Sequence, residues 1–404
     1  MKKVRSALLI YGIVLLLLFV GGGEVFASDG DPLTIRVRIG ALADDARGTV
    51  TAGSYRVGGS TIAPGQSLSL AEGTVASAID GNGRIRWNGT EYRGDLLCVG
   101  GDVVNRLGME DYLYSVVMKE LGGLAPSVEA LKAQAVACRT FACRRLENPR
   151  SAHYDILATT SDQAYGGYSG ESYDTAVGQR VRAAVDATAG QVMYYDGALV
   201  EAYYSANAGG ATESAANVWG SDRSYLRGVE APWDAYPFSG DAGTYTSLKF
   251  PTSYQWHYAI SFADLGKKVT SVGTVTDVTV NREGCFSGYA KEVVVTGTRG
   301  SKSYSGTQFR SLLGLRSASF DVVIGQSIAA NTAFSSRYVS AADFAAAFRV
   351  SGKLLTINGR GYGHGVGMSQ WSACVMAERG YDHLAILRYF YGQNDGRLTV
   401  STYR

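Results

Sequence analysis

Two places in the chain hold residues that could do chemistry. Glu120 closes a largely apolar helical segment, "NRLGMEDYLYSVVMKELGG", just before the loop "LGGLAPS". A carboxyl partly shielded from water has a raised pKa and can act as a general acid. On position alone the plainer reading, a solvated helix end, prevails. The second place is "GRGYGHGVGMSQWSA", with glycine at every second position from 359 to 367. It fits no G-x-G-x-x-G frame and no G-K-[ST] follows, which excludes a nucleotide-phosphate loop. Strict alternation after the strand-like "KLLTING" predicts an extended segment with one bare face, carrying Arg360, Tyr362, His364 and Val366 on the other. A bare face admits a ligand or another strand. Tight packing against a small-residue helix is the alternative, and the spacing leaves both open.

The remaining histidines, His153, His257 and His383, make no H-E-x-x-H or comparable spacing with His364. No metal site is therefore expected, and His364 reads as structural or substrate-contacting. Lys132, Gln134 and Arg139 project from "SVEALKAQAVACRTFACRRL". Lys132 and Arg139 share a face, where they could hold a substrate; ordinary surface solvation accounts for them equally well.

These residues need elements to position them. From Leu33 to about Val104 the pattern is short and β-like, with "LTIRVRIGAL" alternating and Gly, Asp and Asn as punctuation. Leu113, Val116 and Val117 mark one side of the helix ending at Glu120, with Gly122 and Gly123 as its stop. The next helix starts at Ser127 with Glu129 in its first turn, and Leu131, Ala135, Cys138 and Ala142 form a small-residue stripe that lets another element approach closely. It reads as a core helix. "YDTAVGQRVRAAVDATAG" is helical and "QVMYYDGALVEAYYSA" strand-like. Residues from about 241 to 345 differ in kind, an α+β insertion with antiparallel strands. Two glycine-ended helices, "MSQWSACVMAERG" and "DHLAILRYFYG", follow the glycine stretch.

Composition bounds the function. A chain of 404 residues has room for two or three domains. Its formal net charge is +2, and the first 27 residues, with Lys2, Lys3 and Arg5 against Glu24, carry all of it. The rest is neutral, which argues against nucleic acid as a partner. "MKKVR", the apolar "ALLIYGIVLLLLFV" and "VFA" form an export signal with cleavage expected after Ala27; an uncleaved N-terminal anchor to the membrane is the alternative. Either way the body works outside the cytoplasm. Five cysteines without a CxxC pair do not make a disulfide framework and read as buried small residues.

Several segments together resemble the stage II sporulation protein D and amidase-enhancer family. They are the two helices around Glu120 and Arg139, "AGGATESAANVWG", "GLRSASFDV", and the run from Gly359 to Gly392. The resemblance implies a bacterial cell-wall protein of α+β fold, with mixed antiparallel sheets and helices around a central groove. Segments 105–240 and 346–404 would form the catalytic domain, after a β region at 32–104 and around the small insertion at 241–345. It implies a lytic transglycosylase acting on peptide-stripped peptidoglycan glycan strands beside a wall amidase, or else a non-catalytic enhancer of that amidase. Glu120 stands at the family's proposed catalytic acid. Lys132, Gln134, Arg139, Thr212 and His364 fall on positions associated with substrate handling. Tyr204, Ser205, Arg360, Tyr362 and Gln370 complete the expected substrate-binding set. No cofactor is implied. Some members bind zinc through a His and two Cys after the long helix. Here His153 remains, but Leu157 and Asp162 stand where the cysteines would be, so no structural zinc is expected.

Overall fold

The alternation read in the first hundred residues becomes ten strands. In a computed structural model, which describes residues 33–124, 126–239, 251–325, 353–393 and 395–403, these strands precede the first helix. They are β1 (Thr34–Ala41), β2 (Arg47–Ala52), β3 (Tyr55–Val57), β4 (Ser60–Ile62) and β5 (Ser67–Ser69). Then follow β6 (Val75–Ala78), β7 (Arg84–Trp87), β8 (Thr90–Arg93), β9 (Asp95–Val99) and β10 (Asp102–Gly108). One sheet runs β1-β10-β9-β6-β3-β4 and a second β5-β2-β7-β8. Their facing side chains, among them Val50, Tyr55, Ile85 and Leu96, close a core of their own. The expected export segment, 1–27, and the stretches of the insertion at 241–250 and 326–345 lie outside the described residues.

The helices follow. α1 (Met109–Glu120) leaves β10 directly, and α2 (Val128–Glu147) comes after one 3₁₀ turn. Residues 133–143 of α2 are all buried, because Ala, Cys and Thr let neighbours close on every side. The structure puts α1, α3 (Ala176–Ala187) and two later helices around it. Ser127 takes the N-cap position of α2, but its hydroxyl makes no capping bond. β11 (Ile156–Leu157) adds to β1 in parallel. β12 (Gln191–Tyr195), β13 (Ala198–Leu199) and β14 (Tyr204–Ser205) follow α3, and the short α4 (Ala215–Trp219) ends at Gly220.

A second α+β unit has its own core, built on Trp256, Leu265, Val293, Phe309 and Ile357. It contains β15 (Gln255–Ser261), α5 (Phe262–Lys268), β16 (Val275–Asn281), β17 (Glu292–Gly297), β18 (Gly300–Ser305), α6 (Gly306–Leu313) and β19 (Phe320–Gly325). β20 (Leu354–Arg360), the strand that leads into the glycines, pairs with β15 and β19 and so shares this core. The chain then returns through β21 (Met368–Ser369), which pairs in parallel with β14. α7 (Gln370–Glu378) and α8 (His383–Gly392) pack on α2, and β22 (Leu398–Thr402) pairs with β12. The fold is α+β, as expected. Cys98, Cys138, Cys143 and Cys374 are buried thiols and Cys285 is half-buried.

Candidate active site

Glu120 ends α1, and its carboxyl turns inward between four elements rather than into water. Oε1 accepts the backbone N–H of Ala164 at 2.9 Å. The side chains of Gln370 and Tyr204 also hydrogen-bond to the carboxyl. Burial is the largest influence on it and raises its pKa; the three hydrogen bonds oppose that shift without cancelling it. A carboxyl held this way keeps a proton at a pH where an exposed one has lost it, and it can both give and retake that proton.

Each partner is itself held. Tyr204 lies on β14, and its hydroxyl accepts from Gln163 Nε2 at 3.1 Å and from the Cys138 thiol at 3.5 Å. With both lone pairs used, its own proton is left to favour the charged form of Glu120. Burial keeps that phenol far above its usual range, so it stays a donor. Gln163 is fully buried, its Oε1 taking the Tyr112 hydroxyl at 3.0 Å and its Nε2 also reaching the Cys138 carbonyl at 3.3 Å. Gln370, the first residue of α7, reaches the Glu120 carbonyl and Gln134 Oε1, each at 3.4 Å. The helix start is pinned by Asp234, fully buried, which takes the hydroxyls of Ser369 at 2.5 Å and Ser372 at 2.7 Å. The same carboxylate accepts the N–H of Ala208 at 2.9 Å, tying α7 to the chain just after β14.

The structure therefore brings Glu120, Gln134, Tyr204 and Gln370 together, and it disperses the others. Lys132 bonds Glu129 at 2.7 Å, and Glu129 also takes the imidazole of His383 at 2.7 Å. Arg139 stays on the same helix seven residues after Lys132, but it corrects the expectation that it is available there. It is fully buried, paired with Glu110 at 2.9 and 2.5 Å, and donates to the carbonyls of Gln191 and Val185. A guanidinium enclosed and spent in this way cannot hold a substrate. Thr212 is buried too, its hydroxyl bridging the N–H and carbonyl of Val229. Ser205 is buried in β14. Arg360 is exposed at the end of β20, and Tyr362 is 49% exposed.

The glycine stretch also departs from expectation. Gly359 continues β20, where the Trp256 ring covers its missing side chain. Gly361, Gly363, Gly365 and Gly367 instead take φ of +78°, +118°, +76° and +74°. The segment is a winding loop rather than an extended strand, because alternate positive φ turns the backbone at each glycine. What lies against it is the chain around β14 and not a small-residue helix. A Cβ on Gly361 would come within 2.6 Å of the Asn207 carbonyl, and one on Gly363 within 2.6 Å of Ser205 Cβ. His364 lies half-buried, with Nδ1 accepting the N–H of Val366 at 3.0 Å and the ring bonded to the Tyr204 carbonyl. Burial, helped by the Arg310 charge, depresses its pKa to about 4, so the imidazole is neutral. Tyr204 thus joins the two regions: its hydroxyl faces Glu120 and its carbonyl faces His364.

Other carboxylates are occupied elsewhere. Glu201 pairs with Arg223, and Glu213 takes the N–H and hydroxyl of Ser287 in the second unit. Asp162 sits between Arg145 and Arg150. Among the described residues no group of three His, Cys, Asp or Glu is placed to hold a metal. No helix among them is long and apolar enough to cross a membrane. Sequence reasoning missed Gln163 and Ala164, which lie in a loop without periodicity and carry no signal of their role.

Comparison with known proteins agrees with this picture. Residues 100–195, from β10 to β12, match the family model for stage II sporulation protein. The chain is 31% identical over 337 residues to an uncharacterized protein of Brachyspira hyodysenteriae, covering 80% of this chain and 76% of that one. It is 29% identical over 304 residues to stage II sporulation protein D of Bacillus subtilis, covering 71% and 74%. It is 30% identical over 285 residues to the amidase enhancer of Bacillus subtilis, covering 66% of this chain but 37% of the relative. The chain belongs to the stage II sporulation protein D and amidase-enhancer family.

Proposed function

We propose that this protein is a lytic transglycosylase of the bacterial cell wall, acting outside the cytoplasm on glycan strands already stripped of stem peptides. The observation that carries the reading is the single half-buried carboxyl of Glu120, raised in pKa and aimed by Ala164, Tyr204 and Gln370. Protonated Glu120 gives its proton to the glycosidic oxygen between N-acetylmuramic acid and N-acetylglucosamine. The C1–O bond breaks toward that oxygen, and positive charge develops at C1. The muramic 6-hydroxyl attacks C1 and returns its proton to Glu120, leaving a 1,6-anhydro end. One carboxyl serves as acid and then base, no water is consumed, and the second carboxylate of ordinary glycosidases is not needed.

The similarity to an amidase enhancer favours a second reading, a non-catalytic wall-binding protein that stimulates a partner amidase. Incubation with amidase-treated strands separates the two. New anhydro-muramic ends, absent with Glu120→Gln, support the transglycosylase. Intact strands together with faster turnover by an added amidase support the enhancer.

A further inference from the structure

An exposed indole and a group of guanidiniums lie near Tyr203, the residue just before β14. Trp219, at the end of α4, is 42% exposed, yet its ring is braced against Tyr203 at 4.6 Å and His364 at 5.1 Å between centroids. A rigid, accessible aromatic face is what the apolar face of a pyranose stacks on. Tyr203 has no hydrogen bond to its hydroxyl among the described residues. Its ring meets Phe141 at 5.9 Å, and the Arg145 guanidinium lies over that Phe141 ring at 5.1 Å. Its N–H donates to the carbonyl of Glu201, whose carboxylate pairs with Arg223 at 3.2 Å. Arg150 is in electrostatic contact with it as well.

The charge there is not balanced. Arg145 and Arg150 share one carboxylate, Asp162, at 3.1 and 2.6 Å. Arg145 Nε is buried without a partner. Two residues after Asp162, the same loop supplies the Ala164 N–H that holds Glu120. Two guanidiniums thus share one carboxylate on the loop that also holds Glu120, near a ring on which a sugar could stack.

We infer that Trp219, Tyr203, Arg145, Arg150 and Arg223 form a subsite for an anionic sugar, a muramic acid residue whose lactyl carboxylate is free. The inference rests on the glycan-strand reading above and explains a preference for stripped strands: removing the stem peptide turns a neutral lactyl amide into a carboxylate. That carboxylate gains charge-assisted bonds from the arginines, whereas the amide gains none and brings a peptide with it.

Equilibrium titration of the Glu120→Gln protein tests this with three tetrasaccharides. They are alternating N-acetylglucosamine and N-acetylmuramic acid with free lactyl carboxylates, the same compound as methylamides, and chitotetraose. The free acid is expected to bind about tenfold tighter than the methylamide. That gap should close in Arg145→Gln/Arg150→Gln and narrow in Arg223→Gln, whose exposed site keeps the test valid if the double variant does not fold. Trp219→Ala should weaken all three ligands alike. Equal binding of acid and methylamide, or a gap that survives Arg223→Gln and the double variant, overturns the subsite. Because only binding is read, formation of anhydro ends by the unsubstituted protein stands or falls separately.

Discussion

The Tyr204 hydroxyl, which accepts from Gln163 at 3.1 Å and from the Cys138 thiol at 3.5 Å, stands at the Glu120 carboxyl and favours its charged form. It stabilises the carboxylate and so lowers a pKa that burial has raised. Tyr204→Phe removes it, and the Glu120 pKa should rise. The alkaline limb of the pH–rate profile, where the acid form is lost, should then move up by about half to one unit, with a lower maximum. A purely structural Tyr204 would lower the maximum without moving the limb.

Glu120→Gln keeps the size and most hydrogen bonding of the side chain while removing its proton chemistry. Turnover should fall by about 10³-fold or more, the scale of general acid–base catalysis. Thermal unfolding near neutral pH should stay close to that of the unsubstituted protein, because the amide matches the carboxyl in size and creates no buried charge.

Arg139→Ala should cost about 3 kcal/mol in urea denaturation, as one half of a buried ion pair is removed. The Glu110 carboxylate left behind is partly exposed, which places the cost at the low end of the range. Affinity for glycan in the protein that remains folded should not change.

His364 is held neutral, its pKa depressed from 6.5 to about 4. Between those values the folded chain binds fewer protons than the unfolded one. Stability is therefore full above pH 6.5 and falls as the pH drops toward about 4. His364→Asn keeps an acceptor for Val366 but cannot titrate. Its stability should lose up to about 3 kcal/mol less than the unsubstituted protein across that window.

Gly365 and Gly367 share a left-handed backbone but differ in surroundings. Gly365 has open space around it, so Gly365→Ala should cost about 1 kcal/mol from conformation alone. At Gly367 a methyl would be driven into the Tyr203 carbonyl, and Gly367→Ala should cost about 3 kcal/mol or more. Equal costs would mean that packing on β14 is not what requires the glycines.

Local pattern carried much of this architecture. α1 and α2 follow from apolar spacing and small residues, and the strands of the first hundred residues follow from alternation. The glycine loop did not, because alternation in sequence shows where side chains are missing and not the sign of φ. Arg139 looked available because the helical spacing that pairs it with Lys132 says nothing about what packs on that side. α2 is covered all round by elements distant in the chain. Glu120 was singled out by its place in α1, but its partners come from residues 164, 204 and 370, whose convergence depends on tertiary structure alone.

The most direct measurement is mass spectrometry of the sugar ends released from amidase-treated glycan strands by the protein and by Glu120→Gln. The account predicts 1,6-anhydro-muramic ends with the former and none above background with the latter. Anhydro ends formed equally by both proteins, or strands left intact by the unsubstituted protein, would contradict it.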